Sequence, residues 1–214
     1  MNITRYGHSC LLVEENGVRV LTDIGTMNEM PDTAGISAIV ISHDHADHFD
    51  ISKIQEVLKT SPDAQVITHA AVGEKLKEAG INFVAIEPGE NISVNGFTIE
   101  SYGIDHAKIY GDMPQCRNTG FLLGGKLFMP GDAVHDVPPK PVEILALPTG
   151  GPWMKLSEAI DYAKAVKPKV AFPIHDALYN DQVRTGMLGS MFANFLSQDG
   201  IEFVNLQPGE SREF

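Results

Sequence analysis

The alternation of apolar and polar positions divides the chain into short strands and a few helices. Residues 10–14 (CLLVE) and 18–22 (VRVLT) are strand-like runs on either side of Glu15-Asn16-Gly17, which has the turn chemistry of a hairpin. Residues 36–42 (ISAIVIS) form a continuous apolar run, which predicts a strand covered on both faces. Residues 51–59 place apolar side chains at 51, 54, 57 and 58, the stripe of an amphipathic helix. A short strand at 65–68 and a helix over 71–79, stopped by Gly80, follow. A strand is expected at 83–86, and strands 92–94 and 97–101 flank Asn95-Gly96, a second hairpin signal.

The second half repeats this plan. Strands 120–123 and 127–129 enclose Gly124-Gly125 and lead to Gly131-Asp132, as the first hairpin leads to Thr22-Asp23. The apolar run 142–147 echoes 36–42. A helix is predicted over 156–166 with Ser157 as its N-cap. Strand 169–173 then runs into His175, as 65–68 runs into His69. Residues 79–90 and 199–210 share Gly, Ile, Phe, Val, Pro, Gly and Glu in the same order. Repeated hairpins and βαβ units predict an α/β chain with two packed sheets and helices outside. The expected organisation is a single domain over 1–214, built from similar halves at about 1–100 and 101–214.

Composition narrows the class. Hydrophobic residues make up 43%, enough for a sizeable core, so a disordered chain is excluded. With 16 basic and 28 acidic residues the net charge is −12, which argues against nucleic acid as a partner. No window approaches the ~18 apolar residues of a membrane span, and residues 1–10 show no charged region followed by an apolar core. Cys10 and Cys116 form no metal or disulfide pattern and read as core thiols. A cytoplasmic protein acting on a small molecule is expected, and a homo-oligomer is left open.

The chemistry concentrates in His43-Asp44-His45-Ala46-Asp47-His48, directly after a buried-type strand. Imidazole and carboxylate are ligands suited to Zn²⁺, and also to Mn²⁺ or Fe²⁺. Residues two apart in an extended stretch face the same way, so His43 and His45 can grip one ion. A turn into helix near Asp47 would offer Asp47 and His48 to a second.

On this motif the sequence resembles the metallo-β-lactamase superfamily, over nearly the whole chain. The remaining stations of that family's pattern match Asp23, His106 in Tyr102-Gly103-Ile104-Asp105-His106, Asp132 in Pro130-Gly131-Asp132, and His175 in Phe172-Pro173-Ile174-His175. The resemblance implies a four-layer αββα sandwich. It implies a first ion on His43, His45 and His106, a second on Asp47, His48 and His175, and Asp132 bridging. Asp23 would orient a ligand histidine. Gly7-His8-Ser9-Cys10 and Leu147-Pro148-Thr149-Gly150-Gly151 are similar to the small single-domain branch that includes ascorbate-6-phosphate lactonase-like hydrolases. Ala107-Lys108 after His106 and Ala133-Val134-His135 after Asp132 depart from that branch.

The implied function is metal-dependent hydrolysis of a small lactone or ester, phosphorylated or not, with two divalent ions and Asp47 as proton acceptor. The cofactor ions are expected to be zinc, with manganese or iron as alternatives. A phosphodiesterase and a non-catalytic metal-binding module are the rival readings. A redox di-iron role is disfavoured, because that branch has Glu at the position of His45. His8 and His135 are candidates for the pocket rim and substrate contact, and His69 for a supporting or surface place. Asn118-Thr119-Gly120 opens a hairpin, and Lys108, Arg117 and Lys155 are the basic residues near the pocket loops.

Overall fold

The computed structural model describes residues Met1–Phe214. Strand β1 (Asn2–Gly7) pairs antiparallel with β2 (Cys10–Glu15), and β2 with β3 (Val18–Thr22). Asn16 and Gly17 both adopt positive φ, 51° and 80°, as a two-residue primed turn requires. Strands β4 (Ala38–Ile41), β5 (Gln65–Thr68) and β6 (Val84–Ala85) then add in parallel. The helices α1 (Ile51–Thr60) and α2 (Ala70–Glu78) make the crossovers. Asp50 caps α1 by accepting from Ser52 N at 2.9 Å and Lys53 N at 3.3 Å, which fixes where the helix leaves the histidine-rich loop.

The second sheet repeats the pattern. Strands β7 (Asn91–Val94), β8 (Phe97–Tyr102), β9 (Gly120–Leu123) and β10 (Leu127–Met129) are antiparallel neighbours. β11 (Ile144–Pro148), β12 (Val170–Ile174) and β13 (Glu202–Phe203) continue in parallel. Helix α3 (Leu156–Val166) and a π-helical segment, Gln182–Leu188, leading into α4 (Gly189–Ser197) cover the outer face. The strand orders are β14-β1-β2-β3-β4-β5-β6 and β13-β12-β11-β10-β9-β8-β7, where β14 is Ser211–Glu213.

Three apolar clusters define the layers. Between the sheets lie Leu11, Val13, Val40, Ile99, Phe121, Ala146 and Phe172. α1 and α2 bury Ile54, Val57, Val72 and Leu76 against Leu21, Ile39 and Ile41. α3 and α4 bury Ala159, Ala163, Phe192 and Leu196 against Leu122, Leu145 and Leu147. The result is the expected αββα sandwich, and no helix is long and apolar enough to cross a membrane.

Four details correct the sequence reading. Residues 91–102 belong to the second sheet, so the halves do not divide at residue 100; β14 returns from the chain's end to complete the first sheet. Met1 N donates to Phe214 O at 3.2 Å where that strand closes beside β1. Ser157 lies inside α3: Lys155 is the N-cap, and Glu158 accepts from its backbone N–H at 2.6 Å. Strand 83–86 shrinks to two exposed residues, and β1, β14 and the helical stretch Gln182–Ser197 had no predicted counterpart.

Candidate metal centre

The parallel strands of both sheets end at the same edge of the sandwich, where open sheets present loops for function. Asp23 follows β3, loop 42–48 follows β4, Asp132 follows β10 and His175 follows β12. His8 sits in the β1–β2 turn, and His106 in the loop between β8 and β9. The backbone is held tightly here. A Cβ at Gly25 would overlap the backbone of Asp47 and His48, so only glycine lets the two loops meet. Of six non-glycine residues with positive φ, three are His8, Asp23 and His175, at 43°, 37° and 56°. Strained backbone is thus concentrated around one spot.

Two groups of ligand atoms converge there, each with its atoms within 4.8 Å of one another: His43, His45, His106 and Asp132; and His8, Asp47, His48 and His175. In the first group, His43 Nε2 stands 3.2 Å from His45 Nδ1, and His106 Nε2 is 3.2 Å from Asp132 Oδ2. In the second, Asp47 Oδ2 is 3.1 Å from His8 Nε2, 3.6 Å from His175 Nε2 and 3.9 Å from His48 Nε2. Asp132 joins them, its Oδ1 3.1 Å from His48 Nε2 and its Oδ2 3.0 Å from His175 Nε2.

Behind the inward-facing nitrogens, the other nitrogen of every ring but His8 is tied down; His8 Nδ1 is buried without a partner. His48 Nδ1 donates to Asp23 Oδ2 at 2.7 Å. His43 Nδ1 donates to Ser42 Oγ at 2.9 Å, and Ser42 passes its own hydrogen to Asp23 Oδ2 at 2.7 Å. His106 Nδ1 donates to Ala107 O at 2.6 Å and His175 Nδ1 to Gly150 O at 2.5 Å. His45 Nε2 meets the Cys116 thiol at 3.6 Å. Such outer partners fix the tautomer and leave the inner nitrogen's lone pair facing the centre.

His48 Nε2, His175 Nε2 and Asp132 Oδ1 are buried and make no hydrogen bond. Buried polar atoms are ordinarily satisfied. Three orphans aimed at one space, among imidazoles and carboxylates, fit two divalent cations sharing Asp132.

Electrostatics agree. Burial, together with the positive charge of His48, lowers the proton affinity of His43 well below the usual imidazole range, and burial lowers His45 and His8 in the same sense. Burial would raise the Asp132 carboxyl, but His48 and His175 hold it well below the usual carboxylate range. Burial also works against a charged His48, but Asp132 and Asp23 keep its proton affinity well above the usual value. Burial thus holds His43, His45 and His8 in the neutral form that can bind a metal, while the carboxylates draw positive charge to His48.

Most of the expected residues meet, and some do not. His135 is half-exposed with its Nε2 3.6 Å from Asp136 Oδ2, outside both groups. His69 is not at the surface: it is buried, belongs to neither group, and neither ring nitrogen has a hydrogen-bond partner. Asn118 faces inward as a brace, donating to Pro130 O at 2.8 Å and accepting from Asp132 N at 3.0 Å. Cys10 is a core thiol, whereas Cys116 is only partly buried and stands beside His45. Sequence reasoning missed Ser42, Cys116 and Trp153, whose indole Nε1 donates to Asp132 Oδ2 at 3.1 Å. None of them carries a ligand-spacing signal.

Comparison with known proteins gives the family and the fold. The family model for the Beta-lactamase superfamily domain matches residues 2–175. Protein Rv0786c of Mycobacterium tuberculosis is 36% identical over 190 residues, covering 86% of this chain and 88% of that protein. The UPF0173 metal-dependent hydrolase Ta0764 of Thermoplasma acidophilum is 29% identical over 189 residues, covering 82% and 83%. Among solved structures, the metallo hydrolase Igni18 of Ignicoccus hospitalis superimposes with a TM-score of 0.75 at 19% identity, over 100% of this chain and 98% of that one. The chain belongs to the metallo-β-lactamase superfamily, in a branch several of whose members are named metal-dependent hydrolases.

Proposed function

We propose that the chain hydrolyses a small lactone or ester with two divalent ions, zinc first among them. His43, His45 and His106 would hold one ion, Asp47, His48 and His175 the other, and Asp132 would lie between. One observation carries this reading: five imidazoles each commit an outer nitrogen and aim the inner one at Asp132 or at each other. When bound, such an ion pair makes a water acidic enough to attack at neutral pH and polarises the carbonyl. The protein's own groups do the rest. Asp47, with a quarter of its side chain exposed, is the carboxylate best placed to take up the proton released as water is consumed. His8 Nε2, 3.1 Å away, keeps that carboxylate turned toward the centre. Asp23 holds both Ser42 and His48 so that the rings do not swing as charge builds.

At the mouth, Ile109 and Met113 line the small pocket beside His45 and His106, which suits an apolar portion of the substrate, and Arg117 is engaged by Glu87 at 2.7 Å. The test is chelation: activity on lactone and ester panels is expected to vanish with EDTA and to return with Zn²⁺ or Mn²⁺ at two ions per chain. Turnover insensitive to EDTA, or a two-ion protein inert on esters, lactones and phosphodiesters alike, would overturn the reading.

A further inference from the structure

Trp153 is the chain's one tryptophan, and it is buried at 8% exposure in loop 149–155 between β11 and α3. Its Nε1–H donates to Asp132 Oδ2 at 3.1 Å, the same oxygen that stands 3.2 Å from His106 Nε2 and 3.0 Å from His175 Nε2. The indole also meets both of those rings edge to face, His106 at 5.7 Å and 74°, His175 at 5.4 Å and 68°. One side chain therefore touches a histidine from each group and the carboxylate between them. The loop grips from two sides, because Gly150 O also accepts from His175 Nδ1. Gly151 seats the ring: a Cβ there would come within 2.8 Å of the indole nitrogen.

We infer that Trp153 is a positioning residue for the bridging carboxylate. Its N–H occupies one lone pair of Oδ2, which sets the rotation that turns Oδ1 toward His48. An indole N–H is a donor only, so it takes up a lone pair without bringing charge or competing as a ligand. The inference rests on the two-ion reading above, and the test separates the two. Equilibrium dialysis of the unaltered protein with Zn²⁺ examines that reading alone; fewer than two ions per chain would sink it there. Trp153→Phe keeps an aromatic ring and removes the donor. Its affinity for at least one Zn²⁺ is expected to fall about 10- to 100-fold, the visible spectrum of the Co²⁺-loaded protein is expected to change, and Trp153→His is expected to recover part of the loss. A Trp153→Phe variant that binds both ions with unaltered affinity and gives an identical cobalt spectrum would overturn the inference. Should the variant fail to fold by circular dichroism, the unaltered protein decides: Trp153 emission is expected to shift and saturate as Zn²⁺ is titrated, and unchanged emission would overturn the inference.

Discussion

Asp23 leaves β3 of the first sheet as Asp132 leaves β10 of the second, and His69 leaves β5 as His175 leaves β12. On the second sheet both reach the centre, 3.0 Å from one another. On the first, Asp23 stands one layer back behind His48, and His69 is buried without a hydrogen bond. The loop after each central strand makes the difference. After β4, loop 43–48 brings four candidate ligands and fills the space in front of Asp23. After β11, loop 149–155 carries no histidine or carboxylate and supplies supports instead, Gly150 O and the Trp153 N–H. Equivalent strand ends thus become candidate ligand or brace according to what the neighbouring loop has placed ahead of them.

Substitutions at the paired positions break this comparison in graded steps. Asp132→Ala removes the group common to both sets, so we expect hydrolysis to fall about a thousandfold or more and metal analysis to find the two-ion state lost. Asp23→Asn keeps a residue that tolerates the left-handed backbone but removes the charge behind His48. A loss of about 10- to 100-fold in ion affinity or activity is expected, with the fold retained by circular dichroism.

The same variant sharpens the electrostatic side. His48 has a raised proton affinity in the folded chain. Its stabilising contribution in chelator-treated protein is therefore full below about pH 6.5 and lost as pH rises through the higher folded value. Melting curves of the chelator-treated protein should show that decline, and Asp23→Asn should flatten it. Ion affinity should climb over the same window, because the ion displaces that proton. His69→Leu is the smallest step. Ion content and turnover should match the unaltered protein, with a melting midpoint equal or higher, since an unpaired buried polar group costs about 1–3 kcal/mol. Loss of an ion in this variant would return His69 to the centre.

Much of this was legible in the chain. Asn16-Gly17 and Asn95-Gly96 marked real hairpins, with positive φ at all four residues. The apolar run before His43 was the buried strand β4, and the spacing of 43, 45, 47 and 48 divided as expected between the two groups. β1 escaped because its inward positions include Arg5, a charge in the core paired with Asp176 and donating to Leu206 O at 2.9 Å. β14 has no apolar side to read, as all three of its residues are exposed. The π-helical stretch breaks the 3.6-residue period that exposes a helix in sequence. His135 was placed by counting from Asp132, but residues 130–143 form no helix that would turn it back toward the centre. Trp153 and Gly150 act through a neutral donor and a backbone carbonyl, which leave no spacing pattern.

The hydrogen bond between Met1 N and Phe214 O has a topological consequence. Followed around a ring instead of along a line, the fourteen strands fall into two uninterrupted arcs: β14 and β1 to β6, then β7 to β13. A circular permutant joined across Met1 and Phe214 and opened at Pro88-Gly89-Glu90 would finish one seven-stranded sheet before starting the other. His106, Asp132 and His175 would all lie on its first arc, and His8 with residues 43–48 on its second. Cut again between the arcs, it would become a split protein whose cation-binding centre assembles only when the two fragments reunite.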